Sequence, residues 1–366
     1  MPGDREECVL IAGASGTVGQ AAVSHFEALG ERTVIAVSRR PAAHGGTGRV
    51  RQLAIDLMDA GACRGAVSAL PPVTHLVYAA LYEKPGLIAG WRDPEQMEVN
   101  LAMLRNLAEP ILERGSLRHV SLLQGTKAYG VHIHPIAVPA RERWPRDPHE
   151  NFYWLQEDYL RERSARRGFA MTVLRPQVVF GDVAGVAMNL TPVIAAYAAI
   201  RREEGRPFAF PGGPPYLLEA VDARLLARVL AWAAESPAAA GETFNVTNGD
   251  VFVWHNVWPA LAEALGVEPG EPEPHALGAT LPGKEAVWAR IVERHGLRPL
   301  RLAELLGLSH HYADFCFAHG ARRPPPPALV STVKLRQAGF HDCIDTEDMF
   351  RELIAAMQES RLIPRF

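Results

Sequence analysis

Residues 8–20 read CVLIAGASGTVGQ, and the order of features in this stretch decides the fold. The apolar run over 7–12 ends at a glycine and has the length of a buried strand, not of a helix. Gly13, Gly16 and Gly19 follow, and apolar positions at helical spacing then run to Gly30. Glycines at such a point let the backbone turn tightly and approach a pyrophosphate. A helix that starts there aims its free amides and the positive end of its dipole at the phosphates. A tight strand-to-helix turn would also use glycine. The position of the triplet, after a strand and at the opening of a helix, favours a dinucleotide site held by Gly13, Ser15, Gly16, Thr17 and Val18.

Downstream the pattern repeats. TVIAV (33–37), QLAID (52–56), THLVYAA (74–80), HVSLLQ (119–124) and FAMTVLRP (169–176) read as further strands. Helical spacing separates them over 59–68, 94–114 and the segment that contains Tyr153. Alternation of strands and helices implies right-handed crossovers and a parallel sheet covered on both faces. The expected fold is therefore α/β: a doubly wound, Rossmann-type parallel sheet with a smaller, mainly helical C-terminal region. Residues 1–185 form the dinucleotide-binding part. The amphipathic stretch 221–236 and the strand ETFNVTN (242–248) bring 218–250 back to it. Residues 186–217 and 251–366 remain for substrate.

The chain has 366 residues with a formal net charge of −3, which excludes a field drawing it onto nucleic acid or anionic lipid. The apolar stretches, such as TPVIAAYAAI (191–200), are about half the length that a membrane helix needs. Cys8, Cys63, Cys316 and Cys343 are scattered with no C-x-x-C pair, which fits a reducing compartment. The N-terminal MPGDREEC lacks the basic and apolar regions of a secretion signal. The expectation is a cytoplasmic protein.

The second strand ends in Ser38, Arg39 and Arg40, with no acid. A carboxylate there would accept from ribose hydroxyls and repel a 2′-phosphate, whereas guanidinium forks match that phosphate. NADP(H) is the expected cofactor. Asp56 is placed for the adenine amino group, with Leu57 beside it. Ala79 and Ala80 leave room for the dinucleotide, and Pro176 and Val178 complete the expected contacts.

In NFYWLQEDYL (151–160), Tyr153 precedes Glu157 by one helical turn. A lysine at that spacing would lower the pKa of the phenol, and a carboxylate would raise it. None of the eight tyrosines has a lysine four residues on. Only four lysines occur: Lys84, Lys127, Lys284 and Lys334. Lys127 stands beyond the fifth strand in LLQGTKAYG, at the sheet end where ligands bind. Two readings stand on these residues alone. Lys127 supplies the missing cation to Tyr153, or the pair is a loop lysine and a helix-packing tyrosine.

NFYWLQED together with HVSLLQGTKAYG resembles the progesterone 5β-reductase and iridoid synthase group of extended short-chain dehydrogenases/reductases. That group shows an NFYY-x-x-ED motif and a lysine in a TG-x-K-x-Y loop. GASGTVG, SRRP, MNLTPVIAAYAAIRREEG (188–205) and ETFNVTNGDVFVWHNVWPALAEALGVEP (242–269) are similar to further signatures of the group. The resemblance implies Tyr153 as catalytic tyrosine and Lys127 as catalytic lysine. It also implies NADPH-dependent reduction of an activated carbon–carbon double bond in a small apolar enone or enal. Hydride would add to the β-carbon, and a phenol supported by an ammonium would stabilise the enolate oxygen. Trp154 departs from NFYY, Gln124 stands in LLQG where LQTG is usual, and RPQVVFG (175–181) lacks the glycine after proline.

Two rival classes are weighed against this reading. A 1,2-reductase of ketones or aldehydes, or a nucleotide-sugar epimerase, would ordinarily keep Y-x-x-x-K. A non-catalytic NADP(H) sensor would ordinarily lose the tyrosine. His132 and His134 lack the cysteine or carboxylate neighbours of a zinc site, so no metal is expected. His310 and His311 read as surface residues, and Phe315 or Phe317 as an apolar roof over the pocket. Glu157 reads as facing solvent or capping the helix region, and RRPPPPA (322–328) as a polyproline-type surface segment. The last helix, about 345–359, is expected to dock onto the first domain or to mediate a homodimer contact.

Overall fold

The structure, a computed structural model, describes residues 7–40, 48–85 and 87–366. The polar residues 1–6 and Pro41 of the SRRP motif lie outside the described residues.

Seven parallel strands form one sheet: β1 (Cys8–Ala12), β2 (Thr33–Ser38), β3 (Val50–Ala54), β4 (His75–Tyr78), β5 (His119–Leu123), β6 (Ala170–Pro176) and β7 (Thr243–Val246). Their spatial order is β7-β6-β5-β4-β1-β2-β3. The order reverses between β1 and β4, and the crevice for a ligand in a doubly wound sheet lies at that reversal.

The inner strands are buried along almost their whole length because both faces are covered, and they are mostly apolar. In β1, Leu10 and Ala12 join the core beneath α2 (Ala60–Ser68), α3 (Pro94–Glu113) and α4 (Phe152–Arg167). Val9 and Ile11 face the opposite core, beneath α1 (Thr17–Leu29) and α6 (Ala223–Glu235). The third strand pairs over Val50–Ala54, two residues earlier than its apolar run suggests. It is an edge strand with exposed positions, so hydrogen bonds to β2 and not burial set its register.

The helices that lead into the site are capped by side chains. Asn151 accepts from the N–H of Tyr153 at 3.0 Å at the start of α4. Asn189 starts α5 (Leu190–Glu203), and its Nδ2 also donates to Gly181 O and Val183 O at 2.9 Å each. Both are standard oxygen caps.

A third core lies in the C-terminal region around α5, α7 (Trp254–Leu265) and the helix Thr346–Glu359. Its centre is aromatic: Phe208 stacks on Trp258 at 4.4 Å, and Trp254 meets Phe317 edge-on at 4.9 Å. Phe317 is therefore core and not a pocket roof. The last helix does not dock onto the sheet. Met349, Phe350, Leu353, Ile354 and Met357 point into this aromatic core instead. His310 is buried, not a surface residue. RRPPPPA (322–328) carries no regular structure and exposes both arginines. No helix among the described residues is long and apolar enough to cross a membrane.

Candidate active site

A cavity of about 720 Å³ opens along the carboxyl ends of the strands, and every residue expected to bind cofactor or to catalyse lines it. Gly13, Ser15, Gly16, Thr17 and Val18 come from the β1–α1 turn. Ser38, Arg39 and Arg40 end β2, and Asp56 and Leu57 follow β3. Ala79 and Ala80 follow β4, Pro176 ends β6, and Val178 lies just beyond it. Lys127 and Tyr153 complete the wall.

The glycines are required by close approach. Gly13 holds φ +83°, and a Cβ there would lie 2.6 Å from Ala79 O. A Cβ on Gly19 would lie 2.1 Å from Gly13 O, so α1 could not seat against the turn. Gly16 caps α1 without a side-chain hydrogen bond, and the first turn holds no acid. The helix therefore presents bare amides and its positive end to the cavity. Ser38 Oγ donates to Arg40 O, and an Arg40 N–H reaches Gly185 O at 3.4 Å.

Tyr153 lies on the first turn of α4 and is 7% exposed. Its hydroxyl makes no hydrogen bond to another described residue. A Cβ built on Gly125 would come within 3.2 Å of that oxygen, which places the phenol directly against the β5 loop. Burial pushes its pKa well above the usual phenol range, and the charge of Glu83 pushes further against a smaller pull from Arg175. The expected depression by Lys127 is not what the structure shows. The Lys127 ammonium lies 3.8 Å from Glu83 Oε1 and 4.1 Å over the ring of Trp91. Burial and the Glu83 carboxylate dominate the phenol, and the cation that pulls against them is Arg175. Tyr153 is consequently a neutral hydrogen-bond donor across the physiological range.

Glu157 also departs from expectation: it neither faces solvent nor caps. It accepts from Gln124 Nε2 at 2.9 Å and from Arg161 Nε at 2.8 Å, with Arg146 at 3.2 Å. Burial raises its pKa, but the hydrogen bonds from Arg161 and Gln124 and the charges of Arg161 and Arg146 outweigh burial and hold it below its ordinary value. Gln124 Oε1 in turn accepts from Arg175 Nε at 2.9 Å. The residue that departs from LQTG thus ties α4 to β5 and β6 beneath the phenol. Trp154 donates its indole N–H to His149 O at 3.1 Å and lies under Arg146 at 4.9 Å. Gln177, where the glycine after proline is missing, donates to Glu219 Oε2 at 3.2 Å and to Ala328 O.

His132 lines the cavity; burial and then the charge of Lys127 lower its pKa to about 4, so it is neutral. His134 is exposed and pairs with Asp147 at 2.8 Å. Phe315 reaches the cavity and meets Trp91 edge-on at 5.6 Å. Sequence reasoning missed Glu83, Trp91, Gly125 and Tyr312. Glu83 and Gly125 follow strand ends at the ligand side of the sheet, a usable signal. Trp91 and Tyr312 carry none, because long-range packing brings them to the cavity.

A profile of the NAD dependent epimerase/dehydratase family matches residues 9–247. The (S)-8-oxocitronellyl enol synthase CYC2 of Camptotheca acuminata is 33% identical over 385 residues, covering 99% of this chain and 95% of that protein. The 3-oxo-Delta(4,5)-steroid 5-beta-reductase of Arabidopsis thaliana is 33% identical over 321 residues, covering 82% of this chain and 80% of that one. The fold is shared with the UDP-glucose 4-epimerase of Thermus thermophilus, solved with NAD, at a TM-score of 0.64 and 19% identity. That match covers 96% of this chain and 99% of the other.

The cofactor of such a site is a nicotinamide dinucleotide, and the residues present fit one. The capless α1 terminus and the crowded Gly13 turn suit a pyrophosphate. The ammonium of Lys127 makes no hydrogen bond to a described residue, so its donors remain for a ribose. Family profile, relatives and resemblance agree: the chain belongs to the NAD dependent epimerase/dehydratase family, in the progesterone 5β-reductase and iridoid synthase group of extended short-chain dehydrogenases/reductases.

Proposed function

We propose that this chain is an NADPH-dependent reductase of activated carbon–carbon double bonds in small apolar enones or enals. The observation that carries the reading is the state of Tyr153. A buried phenol faces the dinucleotide cavity, stays protonated, and has no lysine one helical turn away. It is suited to donate a hydrogen bond to an oxygen on which charge develops and is unsuited to act as a phenolate base. The names of the relatives fit this: one is a reductase of a 3-oxo-Delta(4,5)-steroid, the other a synthase that yields an enol.

Bound NADPH supplies the hydride. The phenol of Tyr153 donates to the carbonyl oxygen, more strongly as enolate charge accumulates there, and so favours the transition state over the ground state. Lys127 offers its N–H donors to the nicotinamide ribose and keeps a positive charge near the developing oxyanion. Gly125 permits the phenol to stand at this place. Arg39 and Arg40, at the end of β2, form the 2′-phosphate contact and set the preference for NADPH over NADH. Residues 1–185 and 218–250 carry the cofactor. Residues 186–217 and 251–366 close the substrate side, with Met188, Leu308, Tyr312 and Phe315 on the cavity wall.

The test is product analysis with NADPH and a panel of small enones and enals. The saturated carbonyl is the expected product. An allylic alcohol would make the protein a 1,2-reductase. Tight NADPH binding without oxidation across the panel would make it a sensor.

A further inference from the structure

The loop leaving β4 carries a carboxylate that the proposed chemistry does not use. The Glu83 side chain is only 4% exposed, and its Oε1 lies 3.8 Å from Lys127 Nζ. Its Oε2 accepts a hydrogen bond from Gln96 Nε2 at 2.8 Å. Gln96, on α3, is 1% exposed, and its own Oε1 accepts from the backbone N–H of Lys84 at 2.8 Å. The carboxylate is therefore oriented by α3, and Oε1 has no hydrogen-bond partner among the described residues. On the other side, the Lys127 ammonium stands over the Trp91 ring. A carboxylate and an indole face both favour the charged form of a lysine.

We propose that Glu83 is a positioning residue of this site: it keeps Lys127 an ammonium and holds it at one place on the cavity wall, away from water. The proposal rests on the assignment of Lys127 to the catalytic pair. A lysine in a dry pocket tends to surrender its proton, and burial alone pushes Lys127 down from its usual value. Among the described residues, Glu83 is the negative charge that pushes back. The other ionisable neighbours do not replace it: His132 is neutral, Arg92 and His149 act on His132, and Tyr153 keeps its proton. Glu83 is itself raised by burial and drawn down by Lys127, Gln96 and Trp91.

The separation gives the arrangement its use. At 3.8 Å the pair is close enough for attraction and too long for a hydrogen bond. The carboxylate thus stabilises the charge without consuming an N–H donor, and the donors that face the cavity stay available to a bound ribose or oxyanion. When a lysine lies one turn along the tyrosine's own helix, that helix fixes the place of the cation. Here the cation is set by a third residue.

The sign is definite. Removing the negative charge lowers the Lys127 titration midpoint, so the ammonium is lost at a lower pH and the alkaline limb of activity moves down. The chain contains only four lysines, so a sample with 13Cε-labelled lysine gives a resolvable spectrum, assigned by a Lys127→Met variant. In Glu83→Gln the Lys127 midpoint should fall by at least about one pH unit, and the alkaline limb of kcat/KM should move by the same interval. An unmoved midpoint, with the signals of Lys84, Lys284 and Lys334 native, overturns the proposal. If Glu83→Gln does not fold, Glu83→Asp keeps the charge but withdraws it, and the midpoint should fall by a smaller amount; no fall overturns the proposal equally. The titration needs no substrate. A failure to reduce any enone would therefore count against the function proposed above and leave this result standing.

Discussion

In the sheet, β1 sends Leu10 and Ala12 to one core and Val9 and Ile11 to the other, and neighbouring strands repeat the device. In the C-terminal region no such period exists. Phe208, Phe317 and Phe350 arrive from segments far apart in the chain and meet Trp254 and Trp258 of α7 in stacked, tilted and edge-to-face contacts. Trp254 and Tyr216 even share one acceptor, the carbonyl of Cys316, at 3.0 and 2.6 Å. The first region is held by many small, repeated burials and parallel ladders. The second is held by a few large aromatic side chains whose partners are specific. Substitution should therefore be felt differently in each.

The largest expected effect tests the aromatic core. Trp254→Ala removes one of the largest fully buried side chains, and the unfolding free energy should fall by about 3–5 kcal/mol. Denaturant titration measures it; a loss below about 1 kcal/mol would mean that this core collapses as freely as a small-residue one. Next comes the chemistry on the sheet side. Tyr153→Phe should reduce kcat about 10²–10³-fold, while the NADPH dissociation constant, followed by fluorescence quenching, changes little. Equal losses in both would show the phenol to be a cofactor ligand only.

Smaller effects separate positions within the sheet half. Gly125→Ala keeps an unstrained backbone but places a methyl 3.2 Å from the Tyr153 oxygen. Turnover should drop on the order of tenfold through displacement of the phenol, and thermal stability should hardly change. A large fall in melting temperature would identify Gly125 as structural. Last, Arg39→Ala combined with Arg40→Ala should bring the kcat/KM ratio for NADPH over NADH down roughly tenfold without altering the folded state. An unchanged ratio would remove the 2′-phosphate contact from these two residues.

The site itself divides along the same line. Lys127 and Tyr153 could be found because each lies at a place that local pattern marks: a strand's carboxyl end and a helix's first turn. What surrounds them could not. Glu157 reads as a surface acid because DYLRER is a polar helix, yet four partners from α4, β5, β6 and the preceding loop bury it. The last helix reads as ready to cover the sheet because its apolar stripe carries no address. The stripe is matched by α7 and α5 instead.

Sequence by itself determined the parallel sheet and the dinucleotide turn, and it marked Lys127 and Tyr153 as candidates for the chemistry. Period, glycine placement and cap residues are local, and local geometry follows from neighbours in the chain. Tertiary structure decided the electrostatics. Glu83 and Lys127 meet across two strand ends, and the phenol's proton is held by burial that distant segments supply. Charge interactions act through space and depend on how much water remains between the groups. That quantity exists only once the chain has folded.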